Sequence, residues 1–355
     1  MPGSLAFLTA VTNLVLDARL MGGRAAIWFR RQWPEVIGGS AFALALAWYV
    51  HIEGVPHELL QQFAVILIGL LAVGFRHLRA LVRGVLTDWL PFIGVLVVYD
   101  LIRGLSDNWN ASHIHLTLQL DADRYLSGGV VPSVWLQQHL APHVGPVLND
   151  LFALVYFSHF WACLVIEAVL WKTSRDTFRQ FVVPYCALTY ACLATYLAFP
   201  AAPPWMDSQL HLIPSTSRIV ASSLAHLAGL PPPTTNWTQQ LHSFANPVAA
   251  VPSLHAAYPL LLCLFFWNRV PRLRPLLVAY PLAMAFVLVY GAEHFLFDVL
   301  LGWCYATAAF VLPSVVRAVR TRLRERTPTP TVEPVPAPAT AVAPAPEPAG
   351  ALISN

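Results

Sequence analysis

Long apolar runs alternate along this chain with short arginine clusters, and that alternation limits the possible folds more than any single motif. The runs fall near residues 35–51, 58–75, 85–102, 148–171, 181–199, 254–268, 275–291 and 297–316. A helix needs roughly 20 apolar residues to cross a bilayer, with shorter tilted or polar-flanked cases allowed, so the pattern predicts about eight transmembrane helices. The composition excludes a soluble domain of this length: 57% of the 355 residues are apolar and 11% charged. The predicted fold is therefore an all-α, polytopic membrane protein.

Threading the runs through a bilayer puts Arg24/Arg30/Arg31, Arg76/Arg79/Arg83, Lys172/Arg175/Arg179, Arg269/Arg272/Arg274 and the stretch from Arg317 to Arg326 on one side. Positive residues favour the cytoplasm, so both termini are predicted there, most simply at the plasma membrane. The opposite side receives two long loops, 104–147 and 200–253, whose only cations are Arg124 and Arg218, with Arg103 at the membrane edge. The net charge of +3 reports this topology and points to no nucleic acid. Four regions follow: a cytoplasmic or interfacial segment (1–34), N-terminal transmembrane helices (35–103), a membrane domain with the two outer loops (104–318) and a tail (319–355) that is Pro/Ala-rich from Thr327 and suits disorder. Asp17 and Arg19 interrupt the first apolar stretch, which lacks a basic start and a cleavage site, so it reads as interfacial rather than as a signal peptide.

Two short motifs carry the chemistry: VPSLHAAYP around His255, and YGAEHFLFD around His294 and Asp298. Ionisable groups at membrane depth are costly and mark functional sites by default. Ser253, behind Pro252, is a good N-cap, which starts a helix with His255 in its first turn. His294 and Asp298 are four residues apart and share a helix face. Both helices run from outside to inside, so both positive dipole ends lie at the outer rim and form a site for phosphate. One imidazole, oriented by the carboxylate, can attack phosphorus while the other protonates the leaving oxygen. The phosphohistidine so formed is resolved by water or an alcohol. Alone, an H-x3-D pair is more often a structural pair; its coincidence with PSLH on consecutive spans of the same direction favours catalysis.

PSLH followed by H-x3-D resembles the second and third signature motifs of the type 2 phosphatidic acid phosphatase superfamily. The outer-loop segment DADRYLSGGVVPSVWLQ (121–137) looks closer to its inositol phosphorylceramide synthase-like, inositolphosphotransferase branch. The resemblance covers roughly residues 110–312. It implies a six-helix catalytic bundle around an outward-facing site, with His294 as nucleophile, Asp298 as its partner and His255 as general acid. Two departures stand out. The arginine usual six residues before the nucleophile is here Leu288, and the apparent copy of K-x6-R-P, Lys172 to Arg179 followed by Gln180, falls on the cytoplasmic side. Arg218, after the turn-rich FPAAPPW (Phe199 to Trp205), is the first candidate for the phosphate-binding cation, and Arg124 the second. For each, an ordinary solvated loop arginine is the competing reading.

Asp121 and Asp123 are candidates for binding a polar headgroup or plain loop carboxylates; His159 and Tyr156 either line the site or pack in the core; Ser253 joins them as a possible substrate contact. The scattered outer histidines, among them His57, His113 and His242, form no HExxH or tight Cys/His cluster, and the cysteines (Cys163, Cys186, Cys192, Cys263, Cys304) all lie in apolar runs, so neither a metal, nor another cofactor, nor a disulfide framework is expected. The sequons at Asn110 and Asn236 fall on outer loops. Three functions compete: a phosphotransferase moving a phosphoryl or phospho-headgroup from a lipid donor to an alcohol, a lipid phosphate phosphatase using water, and a transporter whose histidines relay protons. Rim-placed ionisable groups and the absence of a visible repeat count against the transporter.

Overall fold

A computed structural model of the chain describes residues 23–56, 58–110, 114–227 and 248–326; for 23–32, 105–110 and 324–326 only the backbone is described. The expectations for the interfacial segment before residue 23, the tail from Thr327, the sequon at Asn236, and His57, His113 and His242 lie outside the described residues, and of the other sequon only the Asn110 backbone is described, at the end of a helix. Two units are distinguished, residues 1–313 and residues 314–355; the packed helices belong to the first.

The described residues form α1 (Gly23–Glu53), α2 (Leu59–Gly74), α3 (Leu78–Gly84), α4 (Leu90–Asn110), α5 (Leu118–Leu126), α6 (Pro132–His139), α7 (Pro146–Thr173), α8 (Arg175–Ala198), α9 (Pro204–Gln209), α10 (Ile219–Leu227), α11 (Leu254–Phe266), α12 (Arg274–Tyr290) and α13 (Leu296–Arg326). No strand occurs among them; isolated bridges join His115, Ala201 and Ala249. Local sequence sets several starts. Ser174 caps α8 by accepting the Thr177 N–H at 3.3 Å, and Pro146 opens α7, where its missing N–H costs nothing.

Six helical stretches are long and apolar enough to cross a membrane: Trp33–Glu53, Leu59–Gly104, Pro146–Thr173, Arg175–Ala198, Pro271–Tyr290 and Leu296–Leu323. This differs from the eight runs of the sequence for two physical reasons. Leu59–Gly104, at 46 residues, contains two of the runs, broken by a 3₁₀ turn at Phe75–His77 and a π turn at Val85–Trp89. Helix α11 has only 13 residues, a rise of about 20 Å against a hydrocarbon core of about 30 Å. It is buried along most of its length, from Leu254 and Ala256 to Phe265, and so lies inside the bundle. Large apolar side chains such as Leu44, Trp48, Val169, Leu276, Leu282 and Leu312 instead point outward, which suits a surface solvated by lipid.

Aromatic packing ties the bundle together at the end opposite the site. Trp89 meets Phe63, Phe92, Trp171 and Phe178 with ring centroids 5.6–6.3 Å apart. Beside it the buried Asp88 accepts hydrogen bonds from Arg175 (2.9 Å), Arg179 (2.8 Å) and Trp171 Nε1 (3.0 Å). Lys172 donates to the Val73 carbonyl at 3.0 Å. The apparent K-x6-R cluster is thus occupied in fastening α7 and α8 to the α2–α4 connection. Thirteen residues of helix separate Lys172 from His159, about 20 Å along the axis.

Candidate active site

Helix α11 starts where the sequence predicts: Ser253 Oγ accepts the Ala256 N–H at 3.3 Å, and His255 occupies the first turn. The second motif makes a tight turn out of α12. The Glu293 and His294 N–H groups both donate to the Leu288 carbonyl, at 3.0 and 3.2 Å, while Ala292 sits in the left-handed region with φ 58°, a conformation that non-glycine residues rarely adopt. The chain then enters α13 with Asp298 in its first turn. The two motifs touch through their backbones: the Ser253 N–H donates to the Asp298 carbonyl at 3.0 Å.

This packing gathers His255, His294 and Asp298 into one cluster, in which His294 and Asp298 are buried and His255 is half-buried. His294 Nδ1 lies 3.4 Å from Asp298 Oδ2, and that same oxygen accepts the Phe295 N–H at 2.9 Å. The His255 and His294 rings are 5.6 Å apart, centroid to centroid. Tyr156 stacks on His255 at 4.8 Å, and His159 lies 4.1 Å from it, so both α7 residues belong to the wall around His255. His255 Nε2, His159 Nδ1, His294 Nδ1 and Asp298 Oδ1 are buried without a formed hydrogen bond among the described residues, so the 3.4 Å approach of His294 to Asp298 is an electrostatic contact.

The cations and carboxylates of the outer loops divide sharply. Arg218 reaches the site: its Nε and Nη2 grip Glu293 Oε1 and Oε2 at 3.3 and 3.0 Å, and its guanidinium covers the Trp205 ring at 4.4 Å. Burial disfavours its charge, but the adjacent Glu293 more than compensates and raises its pKa above the ordinary arginine range. Arg124 instead makes a solvent-facing contact with Asp121, 3.7 Å away, and the Asp121 side chain is 68% exposed. Such pairs contribute little.

Asp123 has a different use from the headgroup contact considered above. It is fully buried and accepts the Leu296 and Phe297 N–H groups, at 3.2 and 2.7 Å. Burial pushes its carboxyl up to about 6, opposed by those two bonds and helped by the Asp298 charge. The consequence corrects the expectation that both helix starts are open to phosphate. The Phe295, Leu296 and Phe297 N–H groups at the start of α13 are already bonded to protein carboxylates.

Several contributors escape a reading of sequence alone. Glu293, inside the YGAEH motif, is the partner of Arg218, and no local pattern marks it as such. Gln137 donates from Nε2 to the Tyr290 and Ser217 carbonyls (2.8 and 2.9 Å) and accepts the Ser217 N–H (2.8 Å), which clamps the Arg218 loop to the end of α12. Trp205 donates its N–H to the Ala292 carbonyl at 3.1 Å. The FPAAPPW segment hinted at a role for that loop, but nothing in it named the contact. Among the described residues no group of three or more His, Cys, Asp or Glu is arranged to hold a metal ion.

Comparison with known proteins gives the family. The family model described as PAP2 superfamily matches residues 121–312, more than half of the chain. The inositol phosphorylceramide synthase catalytic subunit of Schizosaccharomyces pombe is 31% identical over 177 residues, which are 47% of this chain and 41% of that protein. The phosphoinositol dihydroceramide synthase of Bacteroides thetaiotaomicron is 26% identical over 230 residues, covering 60% of this chain and 71% of that protein. The chain thus spans about two fifths of the length of the fission-yeast relative. No solved structure matches it.

Proposed function

The chain belongs to the PAP2 superfamily, and from that membership we propose that it is a lipid phosphotransferase working through a phosphohistidine at the extracytoplasmic face. The observation that carries the reading is the pair of imidazoles 5.6 Å apart, one half-buried and the other buried and 3.4 Å from a carboxylate. Asp298, 3.4 Å from His294 Nδ1, orients the ring electrostatically and leaves Nε2 to attack phosphorus. An N–P bond forms as the P–O bond to the donor's alcohol breaks, and His255 delivers a proton to the departing oxygen. In the second half His255 takes the proton from an acceptor hydroxyl, whose oxygen attacks phosphorus and frees His294. Arg218, tethered to Glu293 next to the nucleophile, supplies positive charge where the phosphoryl oxygens gather.

An alcohol acceptor is favoured over water by the burial of the cluster: His294 is 6% exposed and Asp298 not at all, beneath loops that Gln137 and Trp205 fasten down. A site closed to water suits transfer more than hydrolysis. The test is to incubate purified protein with phospholipid donors, with and without a ceramide-type alcohol, and to separate the products. Appearance of a new phospholipid supports transfer; a free headgroup phosphate from a diester donor, or inorganic phosphate from a monoester, alone and whatever the acceptor, makes the protein a hydrolase; no turnover of any lipid refutes both.

A further inference from the structure

His255 takes its orientation from aromatic rings. Its Nε2 is buried with no hydrogen-bond partner among the described residues, so no bond at that nitrogen fixes the ring. Tyr156 and His159, one turn apart on α7, instead pack against it, with centroids 4.8 and 4.1 Å away and planes inclined by 17° and 32°. Rings lying side by side at those separations would overlap, so both contacts are face to face. His159 also stacks on Tyr258 at 5.2 Å, one turn along α11 from His255. Tyr258 is anchored to α8: its OH lies 2.6 Å from Thr189 Oγ1 and its ring 4.5 Å from that of Tyr185. The neighbours of His255 are thereby backed by helices α7, α8 and α11.

A ring face does more than fix a plane. In the proposed reaction His255 is an imidazolium for part of the cycle, and a cation within about 6 Å of an aromatic centroid is attracted by the negative face of that ring. Tyr156 and His159 meet this condition. The other charged and titratable groups that act on His255 are His294 and, from α4, Arg103, which is paired with Asp100 at 2.8 Å. Asp298 stands beside His294, and Glu293 and Arg218 act on Tyr156. A guanidinium repels an imidazolium, so the ring faces are what favour the proton here. Two imidazolium rings 4.1 Å apart would also repel each other. His159 therefore serves as an uncharged face, which a phenyl ring should replace.

We propose that Tyr156 and His159 are positioning residues for the general acid: they hold the plane of His255 and stabilise its protonated form, acting through that ring rather than on the lipid. The inference rests on the phosphotransferase reading for the role of His255 and adds these two residues to it.

The experiment uses the full chain in detergent. Tyr156→Leu and His159→Leu keep an apolar side chain without a ring, whereas Tyr156→Phe and His159→Phe keep the ring face. With phosphatidylinositol as donor, a diester that does not titrate near neutral pH, and a ceramide-type alcohol as acceptor, both Leu variants should lose about tenfold or more in kcat, with KM within about twofold of the wild type. The alkaline limb of kcat/KM, where the general acid loses its proton, should move down by about half a pH unit. Both Phe variants should recover most of each loss. An unchanged kcat and limb in the Leu variants, or Phe variants no better than Leu variants, overturn the inference and leave the phosphotransferase reading standing.

A second measurement needs no turnover. Diethyl pyrocarbonate modifies neutral imidazole, so the pH dependence of its rate at His255, read by peptide mass spectrometry, reports protonation of that ring. The midpoint should fall by about half a unit in the Leu variants and stay near the wild-type value in the Phe variants. Should the wild type turn over no lipid, the phosphotransferase reading fails and this titration decides the inference. A midpoint that is the same in the wild type and the Leu variants, or a wild-type rate independent of pH, overturns it.

Discussion

The Ser253 N–H donates across 3.0 Å to the Asp298 carbonyl, so the helix start that presents His255 is hydrogen-bonded to the helix turn that presents the third member of the cluster. Gly302 makes the approach possible. One turn beyond Asp298, a Cβ there would stand 2.4 Å from the Ser253 carbonyl oxygen, a backbone atom with no easy way to yield. Gly302→Ala should therefore displace α11 from α13 and separate the catalytic groups, with turnover falling about 100-fold, the cost of a misplacement of roughly 1 Å. Turnover measured on a monodisperse, membrane-inserted variant checks this; near-native activity would show that the helix contact does not set the geometry.

His294→Ala and His255→Ala should each lower turnover by about 10²–10⁴-fold or more, because each removes a group with a separate chemical role on the same phosphorus. With a donor radiolabelled in the headgroup phosphate, wild-type protein quenched during turnover should carry an acid-labile label that His294→Ala lacks. Labelling of His294→Ala at wild-type level would assign the nucleophile to another residue.

The three residues of the cluster were legible in the sequence because local rules govern them. An N-cap at Ser253 fixes where α11 begins, and a spacing of four puts His294 and Asp298 on one face. What stayed hidden depends on loops folding back over those helices. Asp123 is 173 residues from Leu296, yet it caps α13, and no local pattern distinguishes such a carboxylate from a solvated one. Arg218 could be ranked first among the outer cations by position, but its bidentate partner Glu293, 75 residues on, could not be foreseen. The span count was blurred for a related reason: hydropathy reports apolar length, whereas the turns at Phe75–His77 and Val85–Trp89 and the burial of α11 are products of packing.

Arg218→Ala removes the cation next to the proposed nucleophile and leaves Glu293 buried without it. Charge-assisted hydrogen bonds to phosphoryl oxygens are worth about 1.5–3 kcal/mol each, so kcat/KM should fall at least about tenfold. Arg218→Lys should recover only part, since lysine lacks the planar fork, and Arg124→Ala, at a solvent-exposed side chain, should cost less than Arg218→Ala. Kinetics of the three variants on one lipid decide the matter, and a larger loss in Arg124→Ala would move the phosphate-binding role to the first outer loop.

Topology is testable with single cysteines in a background freed of the native ones. Tyr125 is 88% exposed on the helix whose Asp123 caps α13, and Arg272 is exposed on the connection before α12. Tyr125→Cys and Arg272→Cys should react with an impermeant thiol reagent from opposite sides of sealed vesicles, Tyr125→Cys from the extracytoplasmic one. Labelling of both from the same side would contradict the arginine-based orientation and reopen the role of Lys172 and Arg179.

The buried Asp207 carboxyl on α9 predicts how stability varies with pH. Its acid form is favoured in the folded chain up to about 8, mainly by burial, whereas in the unfolded chain it ionises in the ordinary range near 4. A raised carboxyl pKa means that the folded state holds the proton longer, so its contribution to stability is complete below the ordinary range and is lost as pH rises through about 8. Asp123 shifts the same way but only to about 6, so a comparison starting near pH 6.5 separates the two. Between pH 6.5 and 9 the melting temperature of the wild type should fall by at least about 2 °C more than that of Asp207→Asn, which cannot ionise. Parallel slopes for the two proteins would mean that Asp207 is solvated or already ionised in the folded state.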